Sequence, residues 1–149
     1  MGRTLGELLA EARGRIERLE PAEALAAMEE GALLVDIRSE ANRELHGIVP
    51  GSLHIPRTVL EWRVAPDSPW RSPHVCGPDG RIVLLCDHGY SSSLAAATLV
   101  ELGFARAGDV VGGFEAWSAA GLPTADAPTL RREPGELAGM GPPDTQCLM

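Results

Sequence analysis

The residues most suited to chemistry in this chain run from Cys86 to Ser93. Cys86 ends an apolar run that begins at Ile82, and the polar stretch Asp87-His88-Gly89-Tyr90-Ser91-Ser92-Ser93 follows it. The next residues, Leu94 to Leu102, favour a helix. This order predicts a thiol at the carboxyl end of a buried strand and beside a helix N-terminus. Free backbone N–H groups and the helix dipole stabilise a thiolate at such a position.

The sequence around Cys86 leaves two interpretations of its thiol. A lone cysteine after an apolar run is often a small buried hydrophobe. The polar residues that follow Cys86 favour the other interpretation, a thiol that faces a polar bowl. There, the backbone amides from Cys86 to Ser91 would wrap the sulfur, and Gly89 permits a turn that other residues resist. One of the serines caps the following helix.

The other side chains of the loop each have a chemical and a plain interpretation. His88 offers a hydrogen bond or a proton in the bowl, or is an exposed loop histidine. The ring of Tyr90 shapes the mouth of the bowl, or simply packs against other side chains. Asp87 adds a negative charge directly after the nucleophile, which opposes both thiolate formation and the binding of an anionic substrate.

Three further stretches, in the right order around Cys86, resemble motifs of one family. Val35-Asp36-Ile37-Arg38 ends an early strand, and His46-Gly47-Ile48-Val49-Pro50-Gly51-Ser52-Leu53-His54-Ile55-Pro56 is similar to G-H-I-P-G-A-x-x-I-P. Gly112-Gly113-Phe114-Glu115-Ala116-Trp117-Ser118-Ala119-Ala120-Gly121-Leu122-Pro123 is similar to G-G-x-x-A-W-x-x-A-G-x-P. The chain therefore resembles a single-domain rhodanese from about Pro21 to Thr124.

The resemblance implies a fold and an activity. The fold expected is α/β and rhodanese-like, with a central, mostly parallel sheet and helices on both faces. The activity expected is sulfurtransfer without a cofactor or metal, from thiosulfate or glutathione persulfide to a thiol or cyanide acceptor, with a protein thiol as another possible acceptor. Cys86 would carry the sulfur as a persulfide, and two successive displacements predict ping-pong kinetics. Asp36 and Arg38 would be structural, with Asp36 holding loop amides and Arg38 in an ion pair.

The loop departs from the common family pattern at Ser91, where many rhodaneses place an arginine in C-x-x-G-x-R. Arg57 and Arg63, which follow a predicted strand, are candidates to hold an anionic donor instead, or are solvated helix residues. No arginine or lysine lies from Asp87 to Gly103, which argues against a cysteine phosphatase on this fold. The alternative function is a non-catalytic docking or regulatory module, and the retained Cys86 argues against it.

The hydrophobic pattern predicts alternating helices and strands, and three regions. Residues 1–20 form an N-terminal helix or extension, 21–124 the rhodanese-like domain, and 125–149 a mobile tail. The expected helices are Thr4 to Leu19, Pro21 to Glu30, Thr58 to Val64, Ser92 to Leu102 and Phe114 to Ala120; the expected strands are Ala32 to Asp36, Leu53 to Ile55, Ile82 to Cys86 and Ala107 to Val111.

Composition limits the partners and the compartment. The 149 residues include 13 basic and 21 acidic ones, a net charge of −8. This charge argues against nucleic acid or an anionic membrane as a partner. Three cysteines without C-x-x-C spacing predict neither a disulfide framework nor a zinc site, and a reducing, cytoplasmic location is expected. Cys76 and Cys147 are either incidental thiols or groups that resolve a persulfide on Cys86.

Overall fold

A computed structural model describes residues 2–75 and 77–127 of the chain. Five strands form one sheet in the order β1-β5-β4-β2-β3, and each neighbouring pair runs parallel. The predicted α/β architecture is confirmed. The strands are β1 Glu17–Leu19, β2 Leu33–Asp36, β3 Leu53–His54, β4 Ile82–Leu85 and β5 Ala107–Val110; the helices are α1 Leu5–Arg15, α2 Pro21–Glu29, α3 Glu40–His46, α4 Leu60–Val64, α5 Ser91–Glu101 and α6 Gly113–Ala119.

The central strand β4 divides the core into two apolar layers. Ile82 and Leu84 pack on one face of the sheet with residues of α4 and α5. Val83 and Leu85 pack on the other face with residues of α2 and α6. All four side chains are buried because a parallel sheet covered by helices on both faces leaves no solvated side.

The N-terminal extension differs from its prediction as one long helix. Helix α1 ends at Arg15, and Glu17–Leu19 form an edge strand that pairs with β5. Ile16 and Leu19 do not extend the helix; they pack on the two apolar layers of the core. The extension is therefore an edge of the sheet, and its register places Arg18 beside Asp109.

Three other local features differ from the sequence-based expectations. A short helix that was not predicted, α3, begins at the cap Ser39, whose hydroxyl accepts from the N–H of Asn42. The predicted helix from Thr58 begins with a 3-10 turn, Arg57–Val59. The N-cap of α5 is Tyr90, so the serine cap was wrong. The serines occupy the first turn, where Ser92 and Ser93 are fully buried.

The described part of the predicted tail begins with a contact to the domain. Ala125 forms an antiparallel bridge with Ile48, with N···O distances of 2.8 and 2.9 Å. Residues 128–149, including Cys147, lie outside the described residues, so their predicted mobility stays a prediction. In the ranges that are described, no helix combines the length and the apolar character needed to cross a membrane.

Candidate active site

Cys86 lies directly after β4 at the carboxyl edge of the sheet and is 5% exposed. Its carbonyl oxygen accepts from the N–H of Phe114 at 2.8 Å, which brings the start of α6 against the loop. Gly113 makes this approach possible. Its φ is +62°, and a Cβ there would lie 2.5 Å from the Cys86 carbonyl oxygen. The Gly112-Gly113 pair at the start of α6 therefore lets that helix approach the backbone of Cys86 closely.

Two groups contact the sulfur itself. The Gly89 N–H donates to Cys86 Sγ at 3.1 Å, and Ser92 Oγ lies 3.1 Å from the same atom. Burial raises the pKa of the Cys86 thiol, but hydrogen bonds from Ser92, Ser91 and Gly89 outweigh it and leave the pKa lowered. The thiol of Cys86 is therefore deprotonated more readily than the thiol of free cysteine.

Gly89 is necessary for this arrangement of the loop. Its φ is +83°, a conformation that favours glycine. A Cβ at this position would lie 2.7 Å from the backbone nitrogen of Gly112. The turn that aims the Gly89 N–H at the sulfur therefore excludes any larger residue.

Asp109 lies behind the serines and was not singled out by the sequence analysis. It is fully buried on β5, and its Oδ2 accepts from Ser92 Oγ at 2.8 Å and Ser93 Oγ at 2.7 Å. The signal in the sequence was an aspartate inside an otherwise apolar strand, Ala107–Val110. A charge at such a position needs a partner, and this was the clue that was available.

Two arginines of the extension supply charge to this side of the loop. Arg18 Nε donates to Asp109 Oδ1 at 2.9 Å, and its Nη2 reaches Asp109 Oδ2 at 3.3 Å. The same Nη2 donates to the Gly89 carbonyl oxygen at 3.1 Å, and Arg13 Nη2 donates to that oxygen at 2.9 Å. Neither residue was predicted to lie at the site, because both fall in the stretch predicted as one N-terminal helix from Thr4 to Leu19.

The remaining loop side chains point to other partners. Asp87 Oδ2 accepts from Asn42 Nδ2 at 3.0 Å, and His88 Nδ1 lies 2.6 Å from Glu115 Oε2. His88 is exposed, as is Tyr90, which is 62% exposed with the Arg13 guanidinium 5.6 Å from its ring centroid. Ser91 is exposed at the start of α5. Residues 87–90 thus form the loop, and Ser91 and Ser92 begin α5.

Arg57 and Arg63 have contacts away from this loop. Arg57 donates to both carboxylate oxygens of Glu61, at 2.8 and 3.0 Å. Arg63 is 1% exposed, and its Nη1 donates to the carbonyl oxygen of Trp70. The alternative of two solvated helix residues does not describe Arg63, because its guanidinium ties the long connection after α4 to the helix. Arg13 and Arg18 bond to the loop itself, and a role of Arg57 or Arg63 in holding an anionic donor stays a prediction.

Asp36 and Arg38 form a buried ion pair next to the site. Arg38 donates to Asp36 from its backbone N–H, Nε and Nη2 at 2.8–3.0 Å, and Arg43 Nε adds a bond at 3.1 Å. The Arg38 guanidinium also lies 4.1 Å from the ring centroid of Phe114. His54 Nε2 is 2.8 Å from the Arg38 carbonyl oxygen, and burial lowers the pKa of this histidine. These contacts join β2, β3 and α6 beneath the loop.

An open cavity of about 580 Å³ lies beside the loop, between α3 and α6. Asp87, His88 and Phe114 line it, together with Asn42, His46, Glu115, Ser118 and Ala119. No group of three metal-binding side chains occurs among residues 2–75 and 77–127. The site therefore combines a thiol of lowered pKa, contacts to its sulfur from Gly89 and Ser92, and room for a small molecule next to the loop.

Comparisons with known proteins match this geometry. The chain is 36% identical over 104 residues to the thiosulfate sulfurtransferase GlpE of Pseudomonas savastanoi pv. phaseolicola, which covers 69% of this chain and 88% of that protein. It is 32% identical over 108 residues to the protein of that name from Haemophilus influenzae, covering 72% and 92%.

Solved structures are also similar to this chain. A Rhodopseudomonas palustris protein of unknown function, described as a possible tyrosine phosphatase, superposes with a TM-score of 0.77 at 35% identity, covering 84% of this chain and 96% of that one. The thiosulfate sulfurtransferase of Pseudomonas aeruginosa superposes with a TM-score of 0.58 at 26% identity, covering 78% and 20%. The sequence model of the family described as Rhodanese-like domain matches residues 20–120. The chain belongs to the family of rhodanese-like domains.

Proposed function

We propose that the protein moves a sulfane sulfur from thiosulfate or glutathione persulfide to a thiol or cyanide acceptor through a persulfide on Cys86. The observation that carries this proposal is the Cys86 thiol, whose pKa is lowered by the hydrogen bonds of its own loop. That the chain is a rhodanese-type sulfurtransferase is supported by its family and by relatives named thiosulfate sulfurtransferase.

The cycle consists of two displacements at sulfur. The Cys86 thiolate attacks the outer sulfur of thiosulfate, a new S–S bond forms, and sulfite leaves with the electron pair of the old bond. An acceptor thiolate or cyanide then attacks the outer sulfur of the persulfide. The Cys86 thiolate leaves with its electron pair, and the product is a new persulfide or thiocyanate.

The geometry supports both displacements. Cys86 Sγ is an anion when it attacks the donor, and it becomes an anion again when it leaves in the second displacement. The Gly89 N–H already points at this atom. Donors that are fixed in advance stabilise developing negative charge without reorganisation. The cavity beside Asp87 and His88 offers space for a donor or acceptor next to the loop.

Intact mass spectrometry tests the persulfide. Reduced protein is incubated with thiosulfate and, separately, with glutathione persulfide, and excess donor is removed. We expect the mass of one sulfur to be added to the parent chain and to the Cys76→Ser variant, and lost on addition of cyanide. Cys86→Ser should gain none, because it lacks the nucleophile.

Two results would contradict the proposal. Sulfur retained by Cys86→Ser would assign the adduct to another thiol. No adduct from either donor, with the protein folded, would favour a docking or regulatory module instead.

A further inference from the structure

We propose that Asp109 and Arg18 are positioning residues of the active site, which hold the Ser92 hydroxyl against Cys86 Sγ as the donor that stabilises its thiolate. The N-terminal strand would then complete a site whose nucleophile lies after β4. This inference rests on the proposed role of Cys86 as the nucleophile. Its contacts form one continuous chain from the sulfur to the edge of the sheet.

Ser92 is the first link of this chain. Its Oγ lies 3.1 Å from Cys86 Sγ and 2.8 Å from Asp109 Oδ2, and the residue is fully buried. A hydroxyl has one proton to donate and two lone pairs with which to accept. Ser92 can therefore donate its one proton to the carboxylate or to the sulfur. Because the residue is buried, water does not compete as a partner.

The protonation state of Cys86 decides which bond Ser92 makes. In the thiol form, the S–H donates to Ser92 Oγ, and the Ser92 proton points at Asp109. When the thiol proton leaves to solvent, the thiolate can only accept, so the Ser92 proton turns towards sulfur. Asp109 then loses the Ser92 proton but still accepts from Ser93 at 2.7 Å and from Arg18 at 2.9 Å, so its carboxylate keeps these two partners in both states.

Arg18 is linked by hydrogen bonds to both residues that contact the sulfur, to Ser92 through Asp109 and to Gly89 directly. Its ion pair with Asp109 offsets a buried negative charge that would otherwise oppose a thiolate on the other side of Ser92. Its Nη2 also donates to the carbonyl oxygen of Gly89, the residue whose N–H donates to the sulfur. Loss of Arg18 should therefore weaken both donors.

Other charged groups face this part of the site. Arg13 of α1 donates to Ser93 Oγ and to the Gly89 carbonyl oxygen. On the opposite side of the loop, Asp87 contacts Asn42 of α3, and His88 contacts Glu115 of α6. Asp87 and His88 are thus paired with groups on other elements. The hydrogen bonds that lead to Ser92, and through it to the sulfur, come from Asp109 and Arg18.

The pH dependence of alkylation by iodoacetamide measures the proposed effect. The assay uses protein in which Cys76 and Cys147 are replaced by serine, so that only the Cys86 thiolate reacts. A lowered pKa means that the thiolate persists to lower pH. The reaction should then reach half of its limiting rate at a lower pH than with free cysteine.

Ser92→Ala should move this midpoint to higher pH. The thiolate then lacks one hydrogen bond that stabilises its charge, so alkylation at neutral pH should slow about tenfold while the limiting rate at high pH is kept. Ser93→Ala is the matched comparison. It removes a neighbouring hydroxyl from the same carboxylate but has no contact with sulfur, so its midpoint should move less.

Arg18→Gln should move the midpoint in the same direction as Ser92→Ala. The matched variant is Arg15→Gln, because Arg15 pairs with Glu101 of α5 and does not contact the loop. The proposal is overturned if Ser92→Ala, with a melting temperature near that of the parent, titrates as the parent does. It is also overturned if Arg18→Gln lowers the melting temperature and leaves the midpoint unchanged.

The titration uses no sulfur donor and is therefore independent of the proposed sulfur transfer. If the parent protein takes up sulfur but Ser92→Ala titrates normally, the positioning chain fails and the function stands. If Ser92→Ala titrates at higher pH but the parent protein takes up no sulfur, the chain stands as a feature of the thiol and the proposed function fails.

Discussion

Cys86 experiences two opposing effects within its own loop. Burial to 5% exposure disfavours a charged sulfur, whereas donors from Gly89 and the first turn of α5 favour it. Hydrogen bonds to charged groups contribute roughly 1.5–3 kcal/mol each, so two or more of them outweigh a partial loss of hydration. The same few residues therefore shield the Cys86 thiol from water and lower its pKa.

A substitution at Ser91 tests whether the lack of a positive charge in the loop limits the use of thiosulfate. It is exposed at the start of α5, so Ser91→Arg places a guanidinium beside the loop without disturbing the core. We expect the KM for thiosulfate to fall about three- to tenfold, because a guanidinium binds an anionic donor with charge-assisted hydrogen bonds. Steady-state kinetics with cyanide as the acceptor measures this change.

Ser91→Gln is the control for this substitution, because it also lacks the serine hydroxyl that helps lower the pKa of Cys86. Its KM for thiosulfate should not fall. Equal KM values for the two variants would mean that the donor is held by charges elsewhere, with Arg13 and Arg18 the nearest candidates in the described part of the chain.

At the scale of elements, the pairing of β1 with β5 decides whether the extension reaches the site. Glu17 lies opposite Gly108, Arg18 opposite Asp109, and Leu19 opposite Val110. Neighbouring parallel strands are about 4.8 Å apart, which brings the Arg18 side chain within reach of the Asp109 carboxylate. Helix α1 then lies along α5, where Arg15 bonds to Glu101.

Gly108→Ala should weaken this strand pair. A Cβ at Gly108 would lie 2.3 Å from the Glu17 carbonyl oxygen, so the edge strand must shift. We expect the free energy of unfolding to fall by about 1–3 kcal/mol, as for other overpacked sites. Urea denaturation followed by circular dichroism measures this loss.

Gly14→Ala is the matched control in the same extension. It lies on an exposed face of α1, and a Cβ there would have no heavy atom within 4 Å. Alanine favours a helix over glycine by roughly 1 kcal/mol, so this variant should be as stable as the parent or slightly more so. Equal stabilities for Gly108→Ala and Gly14→Ala would contradict the tight strand pair.

At the scale of the whole molecule, the net charge of −8 acts on any charged substrate that approaches. Thiosulfate is a dianion, and a field of the same sign slows its encounter with the protein. Salt screens that field, because the Debye length falls from about 30 Å at 0.01 M to about 8 Å at 0.15 M ionic strength.

We therefore expect kcat/KM for thiosulfate to rise about two- to threefold between these ionic strengths. The cyanide half-reaction is the internal comparison, because the attacking cyanide ion carries one negative charge where thiosulfate carries two, so its kcat/KM should rise less. A decrease for thiosulfate with added salt would show that the local field of Arg13 and Arg18 dominates over the net charge.

Much of the fold was readable from the chain because the signals are local. The apolar run Ile82–Leu85 predicts a strand buried on both faces, and the polar loop after it predicts the end of that strand. Pro21 begins α2 as predicted. The family motifs around Cys86 are also local, and the loop from Cys86 to Ser92 forms a single unit in the structure.

The tertiary structure alone decided which distant residues complete the site. Arg18 and Asp109 are 91 positions apart, and a single sequence holds no record of their pairing. The apolar spacing of the N-terminal residues satisfies a helix up to Ile16, but burial of Leu19 and pairing with β5 favour a strand for Glu17–Leu19. Propensity is a weak local preference, and packing against the sheet overrode it.

The sequence by itself thus determined the proposed nucleophile, the strand that ends at it and the family motifs around it. Each of these depends on residues that are neighbours in the chain. The tertiary structure decided the charges and donors behind the nucleophile, because they come from β1, α1 and β5 and meet Cys86 only when the parallel sheet is assembled.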